Sequence, residues 1–168
     1  MELFEAIDTR SSAARLTGPG PTPEHLARIL QAAERAPDHG RMKPWRFHVL
    51  DDTLKERFAH AAAEAKRVRL PSLTEEQLAA DREKIRRSPT IVVVGCAVRL
   101  DNPKVPEIEQ IVAVGAAVQN LFLAAHDLGY GVMWKTGAAA YDDAVKAIIG
   151  LQPRDRVVGI MHLGTRVK

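Results

Sequence analysis

A short segment, residues 36–47, joins a predicted helix to a predicted strand and carries unusual side chains for a connection. Two prolines and a glycine constrain its backbone, while Asp38, His39 and two further basic residues add hydrogen-bonding groups, and Trp45 opens the strand. A connection needs only turn residues and polarity. Donors beside an aromatic surface suit an anionic ligand that bears a ring. His39 could donate to a carbonyl or a ring nitrogen, or could simply be exposed.

A second cluster follows the first predicted helix and consists of Arg10, Ser11 and Ser12, with Arg15 just beyond. Arginine offers a permanent forked donor and serine hydroxyls add short hydrogen bonds, which is what phosphate recognition requires. The same residues are also common at a solvated helix end, so both interpretations remain open.

A third cluster, Trp134, Lys135 and Thr136, lies where a predicted strand ends. A backbone turn there, with the lysine and threonine side chains, could meet the polar edge of a ring. The alternative is a plain strand end with a surface lysine.

Motifs for several common chemistries are missing from the sequence. There is no Walker phosphate loop, no G-x-G-x-x-G after a strand and no serine nucleophile elbow. The six histidines show no metal-ligand spacing, and Cys96 lies inside an apolar strand, where a thiol is inert. We therefore expect no metal and no catalytic side chain, and we expect a bound cofactor to carry the chemistry.

The composition is that of an ordinary globular chain. Its 168 residues, 46% of them hydrophobic, predict a single domain over residues 1–168. One cysteine excludes an internal disulfide framework, and the acidic start lacks the pattern of a signal peptide. The longest uncharged apolar stretch, residues 111–125, is too short to span a bilayer. These features predict a cytoplasmic protein with no membrane partner.

A nucleic-acid-binding module is the weakest of the alternatives. Its basis is the two basic stretches at residues 66–69 and 84–87. The net charge is only +3, acidic residues are interleaved, and no aromatic platform accompanies the charges. We therefore expect no nucleic-acid partner.

Hydrophobic periodicity and capping residues predict an α+β fold, with a small sheet of about four strands covered by helices. The longest predicted helix is apolar all round at its middle, so it should lie in the interior or in an interface. Residues 10–21 are predicted to be a connector, and residues 65–90 a lid or a flank without a recognisable site. The predicted helices are residues 2–9, 23–35, 53–69, 75–87, 106–128 and 142–149, and the predicted strands are residues 47–50, 90–98, 132–134 and 157–163.

Five motifs in register make the chain resemble a known family. They are Arg10-Ser11-Ser12, Arg35-Ala36-Pro37-Asp38-His39, Met42-x-Pro44-Trp45-x-Phe47, Lys104-Val105-Pro106 and the segment 129–137. In this order they resemble the nitroreductase family, in particular its compact bacterial branch, over essentially the whole chain.

The resemblance implies a homodimer that binds FMN non-covalently at its interface, on a mainly antiparallel sheet wrapped by helices. Arg10, Ser11 and Ser12 match positions that hold the FMN phosphate and ribityl end, and Arg35 and His39 match positions contributed by the other subunit. Trp134, Lys135 and Thr136 match the strand end that lines the flavin. The positions that match a region assigned to the nicotinamide cofactor are Ala124, Ala125, His126, Asp127, Leu128 and Gly129.

The activity that the resemblance implies is reduction of nitroaromatic or quinone-like acceptors. NAD(P)H supplies hydride in a ping-pong cycle, and the chemistry is carried by the flavin N5 with no catalytic side chain. The alternative is a flavin-binding or scavenging protein with little turnover. The chain departs from its relatives at Ser11, where a second arginine is frequent. It also ends at Lys168, where relatives often continue into an arm that embraces the partner, so the resemblance leaves the extent of the dimer interface open.

Overall fold

The computed structural model describes residues 1–167 and contains one antiparallel sheet of five strands with helices on both faces. Two 3-10 helices, His39–Arg41 and Ala138–Tyr141, complete the chain. The strands are β1 (Leu16–Thr17), β2 (Trp45–Val49), β3 (Thr90–Cys96), β4 (Gly131–Lys135) and β5 (Arg156–Arg166). The helices are α1 (Leu3–Thr9), α2 (Pro23–Ala33), α3 (Asp52–Arg69), α4 (Glu75–Arg86), α5 (Glu107–Asp127) and α6 (Asp143–Ile148).

The long strand β5 organises the sheet. β3 pairs with one side of it and β4 with the other, β2 pairs with β3, and β1 pairs with the C-terminal end of β5. β3 is buried from Ile91 onward, as its continuous apolar run predicts. β4 pairs only with β5 among the described strands, so its other side is an edge of the sheet.

Two hydrophobic clusters lie on opposite faces of the sheet. The larger packs α2 and α5 against residues such as Val94 and Met161, and the smaller packs α3 and α6 against residues such as Ile91 and Ile160. Adjacent residues of β3 and β5 therefore belong to opposite clusters, which is the two-residue period of a strand buried on both faces.

Local capping signals predicted several helix starts correctly. Thr22 caps α2 and accepts a hydrogen bond from the His25 N–H at 3.2 Å. Asp51 caps α3 in the same way, and Thr74 with Gln77 forms the predicted capping box of α4. These contacts are local in sequence, so the sequence was sufficient to find them.

The sheet has five strands where about four were predicted, because the predicted connector 10–21 contains β1. The two residues of β1 pair with Arg166 and Thr165, which lie almost the whole chain away. A strand of two residues has no periodicity that the sequence could reveal. It forms only because β5, its distant partner, pairs with it.

Helix α5 is long and apolar enough, by length and composition alone, to cross a membrane. Val114, Val118 and Leu121 on this helix are fully buried in the larger cluster. One face of the helix is therefore part of the core, packed against the sheet and α2.

Candidate functional site

Two cavities lie side by side along the edge of the sheet at β4, with volumes of about 540 and 670 Å³. They share Lys84, Lys135 and His162 as lining residues, and we call the two together the basic groove. The volumes are those of small-molecule sites in proteins.

The first cavity has the more apolar walls of the two, although Lys66, Arg69 and Asp81 also line it, and we call it the apolar half of the groove. Its walls come mainly from α3, α4 and the 3-10 helix after β4, and its apolar lining includes Phe58, Ala62, Ala63, Ile85, Ala139 and Ile160. The chain leaves β4 and turns at Gly137, whose φ of +66° favours glycine. A Cβ at Gly137 would meet no atom within 4 Å, so this turn borders open space. A cavity with apolar walls and an open turn can hold a flat ring.

The second cavity is the cationic half of the groove. Arg15, Lys84, Arg87 and Lys135 line it, and no acidic residue does so among residues 1–167. Arg15 comes from the segment leading into β1, so this short strand helps to bring a cation to the groove. A cleft lined by one sign of charge concentrates counter-ions, so this half favours an anionic group such as phosphate.

One carboxylate balances part of this charge. Asp81 on α4 accepts hydrogen bonds from Lys66 and from Lys84, the latter at 2.8 Å. Burial opposes ionisation of Asp81, but the two lysine hydrogen bonds outweigh it and lower its pKa. The pKa of Lys135 is lowered by its partial burial and by the charge of Lys84.

A neutral histidine lies where the two cavities meet. His162 on β5 is only 5% exposed, and its Nδ1 lies 2.9 Å from the Ser88 hydroxyl. Burial, and secondarily the charge of Lys135, lowers the pKa of His162 to about 4. It is therefore uncharged at neutral pH, unlike the cations around it.

The structure places Arg10, Ser11 and Ser12 near the start of β4, and none of the three lines the basic groove. The Arg10 guanidinium lies 5.2 Å from the centre of the Phe122 ring on α5. Arg166 donates from Nη1 to the Ser11 hydroxyl at 3.0 Å and also bonds the Ser11 carbonyl. A second arginine therefore joins this cluster.

The segment 124–129 lies beside the same cluster, at the C-terminal end of α5. The His126 Nε2 lies 2.9 Å from the Thr9 hydroxyl, and Asp127 pairs with the amino terminus of Met1 at 2.8 Å. The pKa of Asp127 is lowered by this contact. The structure thus places the segment 124–129 beside the Arg10 cluster, although the two are far apart in the sequence. The segment does not line the groove.

The third cluster divides between the two faces of the sheet. Lys135 and Thr136 line the basic groove, whereas the Trp134 side chain follows the alternation of β4 toward the opposite face. The Trp134 Nε1 donates to the Val158 carbonyl at 3.0 Å across β5. A Cβ at Gly159 would lie 2.6 Å from that nitrogen, so glycine is needed there to admit the indole.

His39 lies at the other end of α5. The His39 Nδ1 lies 2.5 Å from a carboxylate oxygen of Glu109, and Arg35 is exposed just beyond α2. Glu109 and His126 are 17 residues apart on one helix, which at 1.5 Å per residue separates them by about 26 Å. A single chain therefore does not bring His39 and Arg10 to one small ligand.

Sequence reasoning found no site in residues 65–90, which it interpreted as a lid or a flank. Asp81, Lys84 and Ser88 from this region line the basic groove or support it. A signal was present, because Asp81 and Lys84 flank Leu78 and Ile85, which form the inward stripe of α4. Charged residues beside such a stripe border the surface that the helix covers.

Two predictions about reactive groups concern the rest of the chain. Cys96 is fully buried, and burial, helped by Asp155, raises the pKa of its thiol to about 11, which confirms that it is inert. Within residues 1–167 no cluster of histidine, cysteine, aspartate or glutamate is arranged to hold a metal ion.

Comparison with known proteins gives concordant matches. The model of the Nitroreductase family matches residues 7–165. YdjA of Escherichia coli (strain K12), provisionally named an NAD(P)H nitroreductase, is 36% identical over 165 residues, which cover 98% of this chain and 88% of YdjA. A protein of Haemophilus influenzae with the same provisional name is 32% identical and covers 98% of this chain and 89% of its own length.

Solved structures share the fold. A nitroreductase-like family protein from Bacillus cereus superposes with a TM-score of 0.82 at 25% identity, covering 100% of this chain and 87% of the other. A protein from Desulfovibrio desulfuricans, solved in complex with FMN, gives a TM-score of 0.76 at 22% identity and covers 100% and 88% of the two chains. The predicted α+β architecture is confirmed by these likenesses.

Proposed function

The chain belongs to the nitroreductase family, and from this premise we propose that it is an FMN-dependent NAD(P)H oxidoreductase that reduces nitroaromatic or quinone-like acceptors in a ping-pong cycle. The observation that carries the proposal is the basic groove, in which an apolar half and a cationic half adjoin. FMN has the matching construction, since it joins a flat ring system to a phosphate through a polar chain.

The residues present fit this cofactor. The apolar half is walled by Phe58, Ile85 and neighbouring alanines, and the cationic half offers lysine and arginine donors without a facing carboxylate in the described residues. The protein from Desulfovibrio desulfuricans, which shares this fold, was solved with FMN bound. When bound, FMN would supply the hydride chemistry for which this chain has no reactive side chain.

The chain's own residues would bind and orient the cofactor. We assign the phosphate to the cationic half, where Arg15 and Arg87 would bind it. Arg10, Ser11 and Ser12 do not line the groove, but they lie beside this half, because Arg166 holds Ser11 and pairs with Leu16 of the lining. We assign these three residues, with Arg166, to the phosphate and ribityl end from that side.

Lys135 and Thr136 would border the ring, next to the apolar residues that α3 contributes to the cavity. Trp134 would support this strand end from behind through its bond to Val158. The nicotinamide cofactor is assigned to the segment 124–129.

We further propose that the active form is a homodimer. The face of α5 that the chain leaves uncovered carries Ile108 and Val112, which are 62% and 63% exposed. Together with Pro37, His39 and Ala116 they line a third cavity of about 340 Å³. Exposed apolar side chains at helical spacing are typical of a subunit interface. Within one chain His39 and Arg10 lie at opposite ends of α5. A second copy is therefore needed to bring Arg35 and His39 to the cofactor that Arg10 binds.

The electron donor, the compartment and the domain organisation follow from the same proposal. The names of the relatives include NAD(P)H, which supports it as the donor here. We propose the cytoplasm as the compartment, because NAD(P)H is supplied inside the cell. We propose one FMN-binding domain over residues 1–168, of which Lys168 lies outside the described residues.

An absorbance spectrum tests the proposal directly. The protein is soaked with FMN, desalted, and measured before and after anaerobic addition of NADH or NADPH. We expect retained flavin bands near about 370 and 450 nm that bleach with the nicotinamide. Retained bands that do not bleach would favour the flavin-binding alternative, and loss of all flavin on desalting would refute both.

Replacing Arg10 with alanine is expected to weaken FMN binding without unfolding the protein. Loss of one charge-assisted phosphate contact costs on the order of 1.5–3 kcal/mol, which corresponds to roughly 10- to 150-fold in the dissociation constant. Flavin fluorescence titration measures the constant, and circular dichroism checks the fold. The matched control is Arg154→Ala, since Arg154 is exposed on a loop outside the proposed site. Unchanged affinity in Arg10→Ala would remove Arg10 from the phosphate site.

A further inference from the structure

His162 is a buried polar residue to which nothing above assigns a role. It lies on β5 opposite Met133 of β4 and Ile91 of β3, near the middle of the sheet's width. Its side chain lines both cavities of the basic groove, at the point where the apolar and cationic halves meet. Any ligand that spans the two halves must therefore pass over this imidazole.

One of its two ring nitrogens is already engaged. Nδ1 lies 2.9 Å from the hydroxyl of Ser88, which is itself only 7% exposed. The Ser88 hydroxyl also lies 3.4 Å from the Thr90 carbonyl, to which it can donate. This arrangement lets Nδ1–H donate to Ser88, so that Nε2 carries the free lone pair. If the serine instead donates to Nδ1, then Nε2 carries the proton. In both cases the ring is held by Nδ1 and Nε2 is left for another partner.

Nε2 has no hydrogen-bond partner among residues 1–167, and it differs in this from most buried polar atoms. Among residues 1–167, Nε2 of His48 is the side-chain nitrogen that is fully enclosed and has no partner. Nε2 of His162 also has no partner but is not fully enclosed, so it retains an opening. Since the residue borders both cavities, that opening is the groove itself. A ligand that displaces water from this point must offer a hydrogen-bonding atom or leave the nitrogen unpaired, which is costly.

Because His162 is neutral, it suits a different kind of contact from the cationic residues around it. It is neutral at physiological pH, because burial and the nearby Lys135 disfavour the imidazolium form. The anionic end of a ligand is served by Arg15, Lys84 and Arg87 in the cationic half. A neutral, directional nitrogen suits the uncharged edge of a ring, where N–H and C=O groups alternate.

We propose that His162 is a ligand-contacting residue of the basic groove, whose Nε2 hydrogen-bonds a polar atom of the flavin ring system, and that Ser88 is the positioning residue that fixes the imidazole. This inference rests on the proposed function, because it takes FMN as the occupant of the groove. It adds a contact on β5 and one before β3, neither of which belongs to the clusters that the sequence singled out.

The test is the affinity of the folded apoprotein for FMN, measured by quenching of flavin fluorescence. His162→Phe keeps a flat ring but removes both nitrogens, and we expect it to raise the dissociation constant about tenfold. His162→Gln retains a polar group of similar reach and should recover much of the affinity. Ser88→Ala should weaken binding less than His162→Phe. It should also broaden or shift the absorbance bands of the bound flavin, because the His162 imidazole is no longer held in one orientation.

The matched control is His48→Phe. His48 lies on β2, also has a pKa lowered by burial and an unpaired Nε2, and does not line the groove. We expect wild-type affinity for this variant. Wild-type affinity in His162→Phe, or an equal loss in His162→Phe and His48→Phe, would overturn the inference while leaving the proposed function intact. A wild-type protein that does not bind FMN would overturn both.

Discussion

Replacing Val112 with lysine is expected to convert the proposed homodimer into a monomer that no longer retains FMN. Val112 lies four residues after Ile108 on the uncovered face of α5, and both are more than half exposed in the single chain. In a two-fold dimer the same face meets its own copy, so one substitution places two ammonium groups in the interface. Burying an unpaired charge costs several kcal/mol per ion. Sedimentation at low micromolar concentration measures the mass, and absorbance near about 450 nm measures retained flavin.

The chain offers a matched control for this substitution. Val68 on α3 is 76% exposed and lies outside the α5 face, so Val68→Lys should leave the mass and the flavin content unchanged. A Val112→Lys protein that remains dimeric would show that the subunits meet through another surface. A monomer that binds FMN normally would show that one chain contains the whole site and that Arg35 and His39 are not needed from a partner.

The stability of the protein is expected to fall as the pH is lowered from 6.5 to 4, and His162 is expected to cause a large part of this fall. Its pKa is about 4 in the folded chain and 6.5 in the unfolded one. Between these values the unfolded chain binds a proton that the folded chain does not, so acidification favours unfolding. The difference of the two pKa values corresponds to about 3 kcal/mol over the whole window. The effect is absent above pH 6.5, where both states are neutral.

Urea unfolding of the wild type and of His162→Phe, at several pH values and one fixed protein concentration, measures this contribution. Across the window we expect the free energy of unfolding of the variant to fall by less than that of the wild type. The difference between the two decreases should be about 3 kcal/mol. Carboxylates also contribute at the acidic end of this window. Arg86 lowers the pKa of Glu56 to about 2 by hydrogen bonding, so its stabilising contribution begins to be lost as the pH falls through its unfolded value of 4.5. This loss is common to the wild type and the variant, so the difference between the two proteins isolates His162. Parallel curves for the two proteins would mean that His162 titrates normally in the folded state.

The sequence was sufficient wherever a feature depends on near neighbours in the chain. The capping box of Thr74 and Gln77, the Thr22 cap and the buried run of β3 were all predicted, and the ends of the elements differ by only a few residues. The likeness to a family was also present in the sequence, because five motifs kept their order. Sequence reasoning placed Lys135 and Thr136 at a strand end, where the structure has them in the groove.

Strand β1 and the groove itself were beyond this kind of reasoning. β1 exists because Leu16 and Thr17 meet the end of β5, a partner that no local pattern specifies. The charged helix α4 was interpreted as a solvated flank, since Asp81 and Lys84 are residue types common on any surface. Only the packing of α4 against α3 and the sheet edge turns them into a lining of the groove.

The sequence by itself determined the class of fold, the main helices and strands, and the residue types able to bind an anionic cofactor, because these depend on periodicity, capping and chemical character. The tertiary structure decided which of those residues meet. It joined Arg10 to the end of α5, held Ser11 with Arg166, kept His39 at the far end of the same helix, and aimed His162 into a groove between lysines. Proximity between distant residues arises from sheet pairing and helix packing, and these depend on the whole chain at once.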